Sequence, residues 1–261
     1  MKFWHSIYDK LSMKGQLVLL YVMKSDGSSP GRQGFKMLVA ADGWMDGSIG
    51  GGFMEHKLVE LSKSMLEKGT FKPLIKKQIH RTNESKDRSG MICSGEQIVS
   101  FYYLDKSSLK VFLEVKSRLD SGQYPVIKLD ENGISLLEES QQKAQFDFKY
   151  TSPSIWSMIE NTGFKPLIYI IGAGHVGLAM SKLMYQLDFR VIIFDDREEL
   201  NTLEQNVYAE QKNVVDYNLI GDYIDDDEES YITVMTFGYR TDKLVMTELL
   251  DKKCKYFVSK G

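Results

Sequence analysis

Two glycine-rich segments carry residue types and spacings from which chemistry can be read. The first is Gly47-Ser48-Ile49-Gly50-Gly51-Gly52, which runs into Phe53-Met54-Glu55-His56-Lys57. Four glycines in six residues free the backbone to take positive φ or to approach a partner closely. The spacing of Leu58, Leu61, Met65 and Leu66 predicts a helix from about Met54 to Lys68. A glycine turn that opens a helix offers bare N–H groups at the positive end of the helix dipole, a seat for an anion such as phosphate. Gly50, Gly51 and Gly52 are its candidate residues. Glu55 is placed to cap the first turn. Glu55-His56 invites a metal or acid/base reading, but the second histidine of a metal-binding helix is lacking.

The second segment, Gly172-Ala173-Gly174-His175-Val176-Gly177, is G-x-G-x-x-G between a predicted strand and a predicted helix. Here Gly172 permits the tight turn, Gly174 the approach of a pyrophosphate, and Gly177 close packing of helix on strand. Asp195-Asp196-Arg197 follows about 20 residues on, where an acid binds a ribose 2′-hydroxyl. Arg197 beside the acids could instead accept a phosphate and favour NADP. His175, inside the loop, could touch that phosphate or simply face solvent. The same loop also serves Rossmann domains kept for structure or for another nucleotide.

Other side chains add less. Ser28, Ser29 and Arg32 lie in the turn-rich loop Ser25–Gly34, and Arg32 could pair with a phosphate if that loop faces the Gly50 cluster. Cys93 and Cys254 are the only cysteines, too few for a disulfide framework or a structural zinc site. Cys93 is a candidate thiol ligand or an incidental cysteine. Asp225–Glu229 is an acidic run expected in a solvated loop.

The elements that must position these residues divide the chain by style. The first half reads as α+β: an amphipathic helix over Met1–Lys14, strands at Gln16–Met23, Phe35–Ala40 and Gln97–Leu104, a helix at Leu109–Leu119, and short strands around Asn132-Gly133. Gln78–Arg88 is polar and expected to be a mobile loop. Glu138–Thr151 has weak apolar periodicity and holds the expected junction, giving domains at 1–150 and 151–261, with the linker ending by Gly163. The second half alternates continuous apolar runs, Leu167–Ile171, Arg190–Phe194 and Tyr231–Phe237, with helical patterns at His175–Leu187 and Asp242–Lys252 and a last strand at Lys255–Val258. Runs covered on both faces imply a parallel, Rossmann-like sheet.

Bulk numbers narrow the class. The chain has 261 residues, 43% hydrophobic and 26% charged, with a net charge of −3. That is the composition of a globular protein, and it argues against a nucleic-acid binder, which carries a basic surplus. Apolar windows stay short of a membrane span, and two cysteines fit a reducing cytoplasm.

Three segments together resemble the xanthine dehydrogenase accessory factor family, XdhC/CoxI: Gly27-Ser28-Ser29-Pro30-Gly31 through Gly34 with Lys36-Met37-Leu38-Val39; Asp46 through Gly52 with Glu55; and Gly172–Gly177 with Val191–Arg197. The resemblance implies an accessory protein that binds molybdenum cofactor (molybdopterin), supports its sulfuration and delivers it to a molybdenum hydroxylase of the xanthine dehydrogenase type. A cysteine desulfurase and a second copy of the chain are further partners it leaves room for. The implied binding residues are Ser28, Ser29, Arg32, Gly50, Gly51, Gly52, Glu55, Cys93, Gly172, Gly174, His175, Gly177, Asp195, Asp196 and Arg197, with no catalytic or metal-ligating residue of its own. Three departures stand out. Phe53 occupies the position where many members have a cysteine, Cys93-Ser94-Gly95-Glu96 replaces Cys-Gly-Gly, and the chain stops at Lys260-Gly261, where members continue with a Gly-Ser-x-x-Lys turn and a helix. The Rossmann-like domain is thus expected to lack its last element. Two other readings stay open: an NAD(P)-dependent oxidoreductase using the Gly172–Gly177 loop, and a family member that only binds protein partners.

Overall fold

The run Leu17–Met23 is apolar without interruption because both of its faces are buried. The computed structural model describes residues 2–69, 71–79, 95–138 and 144–259. It divides into two compact units, Met1–Phe164 and Lys165–Gly261. The first unit runs α1 (Lys2–Lys14), β1 (Leu17–Asp26), β2 (Lys36–Val39), β3 (Met45–Gly47), α2 (Gly52–Lys68), β4 (Leu74–Ile79), β5 (Glu96–Leu104), α3 (Leu109–Asp120), β6 (Val126–Asp130), β7 (Gly133–Leu137), β8 (Phe146–Ser152) and β9 (Ile155–Asn161). An antiparallel sheet of order β3-β2-β1-β5-β4 has β1 at its centre, and a second of order β7-β6-β9-β8 accompanies it. Val18, Leu20 and Val22 pack with Met54, Leu58 and Leu66 of α2. The alternate residues Leu19, Tyr21 and Met23 pack with Trp4 and Ile7 of α1, Phe112 of α3, and Ile127 and Met158 of the second sheet. Period-two alternation thus sends successive β1 side chains into two different cores.

The junction expected at 150/151 falls inside β8, and the unit extends to Phe164. The physical reason is the position of β8 at a sheet edge, where its side chains are exposed or only half-buried and its pattern carries no clear apolar period. Likewise β4 takes up Gln78 and Ile79, expected in a polar loop; residues 80–88 of that expectation lie outside the described residues.

Glu160 of β9 brings a charge into the first core. Its carboxylate accepts from Trp4 Nε1 and Tyr21 Oη, both at 2.9 Å, and from Lys36 Nζ at 2.9 Å. Lys36 Nζ lies 5.2 Å from the centroids of both the Trp4 and Tyr21 rings. Burial, reinforced by the Glu160 charge, holds the Tyr21 phenol well above its ordinary pKa.

The second unit runs β10 (Leu167–Ile171), α4 (His175–Gln186), β11 (Arg190–Asp195), α5 (Asn201–Glu204), β12 (Gln211–Val214), β13 (Asp227–Val234), α6 (Tyr239–Leu249) and β14 (Cys254–Ser259). All four pairings in its sheet, of order β12-β11-β10-β13-β14, are parallel. This is a Rossmann sheet with its strand order reversing between β10 and β13. Ile168, Ile170 and Ile193 face Met180 and Met184 of α4, while Ile171, Phe194 and Val234 face Val245 and Leu249 of α6. Of the acidic run at Asp225–Glu229, expected in a loop, Asp225 and Asp226 precede β13, and Asp227–Glu229 begin it. Its charges are accommodated at the strand start, where Glu229 pairs with Lys255 at 2.6 Å.

Candidate functional site

The first glycine turn supplies its own anion. Gly50, Gly51 and Gly52 have φ of 127°, 75° and 71°, a succession only glycine sustains at little cost. The turn curls around Glu55, whose Oε2 accepts from Ser48 Oγ at 2.7 Å, Ile49 N at 2.8 Å and Gly51 N at 3.0 Å. Gly50 N donates to Ser48 Oγ at 3.1 Å. The N–H groups of Ile49, Gly50 and Gly51, which a phosphate would need, are therefore engaged within the chain. Beside them Phe53 is exposed, with Lys57 Nζ 4.6 Å from its ring centroid. Glu55→Ala is expected to destabilise this unit by about 1–2 kcal/mol through loss of that cap, read as a lowered urea midpoint of tryptophan fluorescence.

The loop bearing Ser28, Ser29 and Arg32 does meet the glycine turn. A Cβ on Gly31 would stand 2.1 Å from Ile49 O, and one on Gly50 2.5 Å from Gly31 N. Gln97, absent from the candidate residues, ties the two together: its Nε2 donates to Ile49 O and its Oε1 accepts from Ser29 Oγ, both at 2.9 Å. Ser29 is buried in that contact, Ser28 is exposed, and among the described residues Arg32 donates to Gly27 O, at 3.4 Å. A buried glutamine between two glycine loops leaves little trace in one sequence beyond the polar residue at the head of an apolar strand. Cys93 lies outside the described residues.

In the second unit the three loop glycines have separate causes. Gly172 has φ 109°, and a Cβ there would lie 2.4 Å from Met235 O. On Gly177 it would lie 2.0 Å from Gly172 O. Gly174 is different. Its φ of −65° and ψ of −170° suit any residue, and a Cβ would meet nothing within 4 Å. The protein itself has no need of a glycine there, and the bare face opens outward at the N-terminus of α4, where no side chain caps the helix. Gly238, at the N-terminus of α6, shares both properties.

Asp195 at the end of β11 is buried and occupied. Its Oδ2 accepts from Ala173 N at 2.6 Å and Arg197 Nη2 at 2.9 Å, and its Oδ1 from Arg197 N at 3.1 Å and Nε at 2.7 Å. Ala173 O in turn accepts from Thr202 Oγ1 at 2.6 Å, which holds the loop from both sides. Asp196, by contrast, is exposed. A cleft of about 600 Å³ includes Gly174, His175, Arg197, Thr202, Thr236 and Phe237 in its walls, and one of about 370 Å³ joins Asp196, Tyr217 and Thr241 to the same Arg197, Thr236 and Phe237. Phe237, expected at the end of a strand, lies beyond β13 (Asp227–Val234). It stands 93% exposed in the loop between β13 and α6, and the aromatic–glycine pair before a helix pattern was the available signal.

Burial works against the charge of Asp195, yet the Arg197 guanidinium and the Ala173 and Arg197 N–H groups outweigh it and hold the carboxyl below its ordinary pKa. A carboxyl depressed in the folded state contributes stability above the unfolded value of about 3.9 and loses it as pH falls through the folded value. Asp195→Asn is therefore expected to lower the urea midpoint of this unit more at pH 7 than at pH 3. Far-UV circular dichroism at the two pH values checks it, and equal losses would contradict the assignment.

Among the described residues no three His, Cys, Asp or Glu side chains converge as a metal-ligand set, and no helix is long and apolar enough to cross a membrane. Comparison with known proteins gives two family matches: residues 11–76 to the XdhC and CoxI family and residues 168–260 to the XdhC Rossmann domain, together more than half of the chain. A crystal structure described as a xanthine dehydrogenase from Bacillus halodurans is similar at 17% identity and a TM-score of 0.47, over 99% of this chain and 82% of that one. No curated protein matches.

Proposed function

The chain belongs to the XdhC and CoxI family, and from that membership we propose that it is a maturation factor for a molybdenum hydroxylase of the xanthine dehydrogenase type, carrying molybdenum cofactor to that enzyme. The observation that carries the reading is that the family match includes both glycine loops. The residues fit the cofactor unequally. The Gly172–Gly177 loop, with Gly174 bare and α4 uncapped, suits a phosphate-bearing group such as molybdopterin. The Gly50–Gly52 turn fits less well, because the Glu55 carboxylate already accepts from Ile49 N and Gly51 N, and Ser48 Oγ from Gly50 N.

Bound cofactor would supply a molybdenum centre for the client enzyme; the residues of this chain would hold its phosphate and orient it. Sulfuration finds no thiol at the first turn, where Phe53 stands. Cys254 is the one described cysteine, and burial pushes its thiol up in pKa, away from the reactive thiolate. Cys93, the other candidate thiol, lies outside the described residues, and a cysteine desulfurase is the partner that would supply sulfur on this reading.

The test is anaerobic purification after co-expression with a molybdenum hydroxylase, with the released pterin measured by fluorescence and hydroxylase activity assayed with and without this chain. The expected result is pterin copurifying with the chain and hydroxylase activity that depends on it. Absence of pterin together with unchanged hydroxylase activity would sink the proposal. Turnover of a small carbonyl with NADH or NADPH would favour the oxidoreductase reading instead.

A further inference from the structure

We propose that the cleft between the end of β5 and the free edge of β7 is a peptide groove, in which an extended segment of a partner protein bearing acidic and apolar side chains adds as a strand. The groove belongs to the Met1–Phe164 unit alone, and the inference does not depend on the maturation reading.

The first support is what walls the cleft. It measures about 800 Å³, and its lining includes the consecutive residues Tyr102-Tyr103-Leu104 of β5 and Gly133-Ile134-Ser135-Leu136 of β7. Tyr102 packs into the core that holds Trp4 of α1, and Tyr103 against the core that holds α2, so the two rings leave opposite faces of β5. A cavity that meets both faces in succession meets the edge of the strand. One edge is taken by β1 as far as the Leu17–Leu104 pair; on the other, the ladder with β4 stops at Leu74–Phe101. The next residue there is Pro73, also in the wall, which has no N–H with which to continue. β7 is met in the same way: Ile134 and Leu136 pack toward the core, Ser135 is exposed on the other face, and all three line the cleft. Its only strand neighbour among the described residues is β6. Two strand edges with open main-chain groups therefore border one cavity, and an added strand is the ligand that pairs with such edges.

The second support is what β7 lacks. Charged side chains are an ordinary means of keeping a sheet edge from pairing. Among the described edge strands, β3 carries Asp46, β4 Lys76 and Lys77, β8 Asp147 and Lys149, β12 Lys212, and β14 Lys255. β7, Gly133-Ile134-Ser135-Leu136-Leu137, carries no charge. The charge of the walls then selects the occupant. Glu114 is paired with Arg118, whereas Lys72 and Lys110 have no ion pair among the described residues and outnumber Glu138. Phe71 and Val111 add apolar surface. A segment with acidic and apolar side chains complements these walls.

The test is fluorescence polarisation of labelled heptapeptides titrated with the full chain. The probes are a peptide alternating valine and glutamate, its counterpart alternating valine and lysine, and the glutamate peptide with all internal amides N-methylated. The glutamate peptide is expected to bind and the lysine peptide to bind more weakly. N-methylation keeps the side chains but removes the main-chain donors, so it is expected to weaken binding by on the order of tenfold or more. The double variant Lys72→Glu with Lys110→Glu alters two exposed side chains. It is expected to keep the urea midpoint of tryptophan fluorescence and to reverse the preference in favour of the lysine peptide. No binding of the glutamate peptide by the folded chain, binding that survives N-methylation, or a preference unchanged in the double variant would each overturn the proposal. Pterin content and hydroxylase activity are separate readouts, so either proposal can fail alone.

Discussion

Glu160→Ala is expected to destabilise the Met1–Phe164 unit by about 3–5 kcal/mol, the range for breaking a buried ion pair by removing one partner. Three donors converge on this carboxylate: Lys36 Nζ on one oxygen, Trp4 Nε1 and Tyr21 Oη on the other. Glu160 and Lys36 have side chains only 5% and 13% exposed, so water is poorly placed to replace either partner. Truncation would leave an ammonium between two aromatic rings with Gly34 O as its remaining acceptor, at 2.8 Å. The measurement is convenient because all three tryptophans, Trp4, Trp44 and Trp156, lie in this unit, so urea unfolding followed by tryptophan fluorescence reports on it alone. The double variant Lys36→Met with Glu160→Gln removes both charges and should recover most of the loss. A cost for Glu160→Ala below about 1 kcal/mol, as for a solvated surface pair, would contradict the buried geometry.

How much of this was legible beforehand depends on how each residue is buried. β1, β10 and β11 bury both faces, and their uninterrupted apolar runs read directly as strands. β4, β8 and β12 sit at sheet edges, and the side chains of 74–78, β8 and β12 are exposed or half-buried; Lys76, Lys77 and the segment Gln211-Lys212-Asn213 look like loop in any one-dimensional pattern. The capping role of Glu55 followed from its place in the first turn of a helix. That it would use up the N–H groups of Ile49 and Gly51 depended on how three successive positive-φ glycines curl, which spacing alone does not specify. Asp195 and Asp196 are neighbours of one type, and only the pleat of β11, with the Ala173 N–H on one side, makes the first structural and leaves the second outside. Arg197 was equally ambiguous until its partner was known.

The six residues Gly172–Gly177 should give opposite results at two of their glycines, and this contrast is the sharpest check on the second unit. Gly177→Val would drive a Cβ to 2.0 Å from Gly172 O and 3.1 Å from Gly172 C, both backbone atoms of the turn that α4 packs against. No rotamer relieves a backbone clash, so helix and turn must separate, with loss of the Gly177 O acceptor used by the buried Ser181 hydroxyl at 2.8 Å. The cost is expected to be about 3 kcal/mol, the upper part of the range for overpacking. It would appear as a lowered midpoint in far-UV circular dichroism while tryptophan fluorescence of the other unit stays unchanged. Gly174→Asn, three residues earlier, places its side chain in open space and should leave both signals where they are. If the two variants prove equally stable, the close approach of α4 to the strand-end turn is not as described. If both prove equally unstable, Gly174 is held by the protein after all, and its bare face carries no information about a ligand.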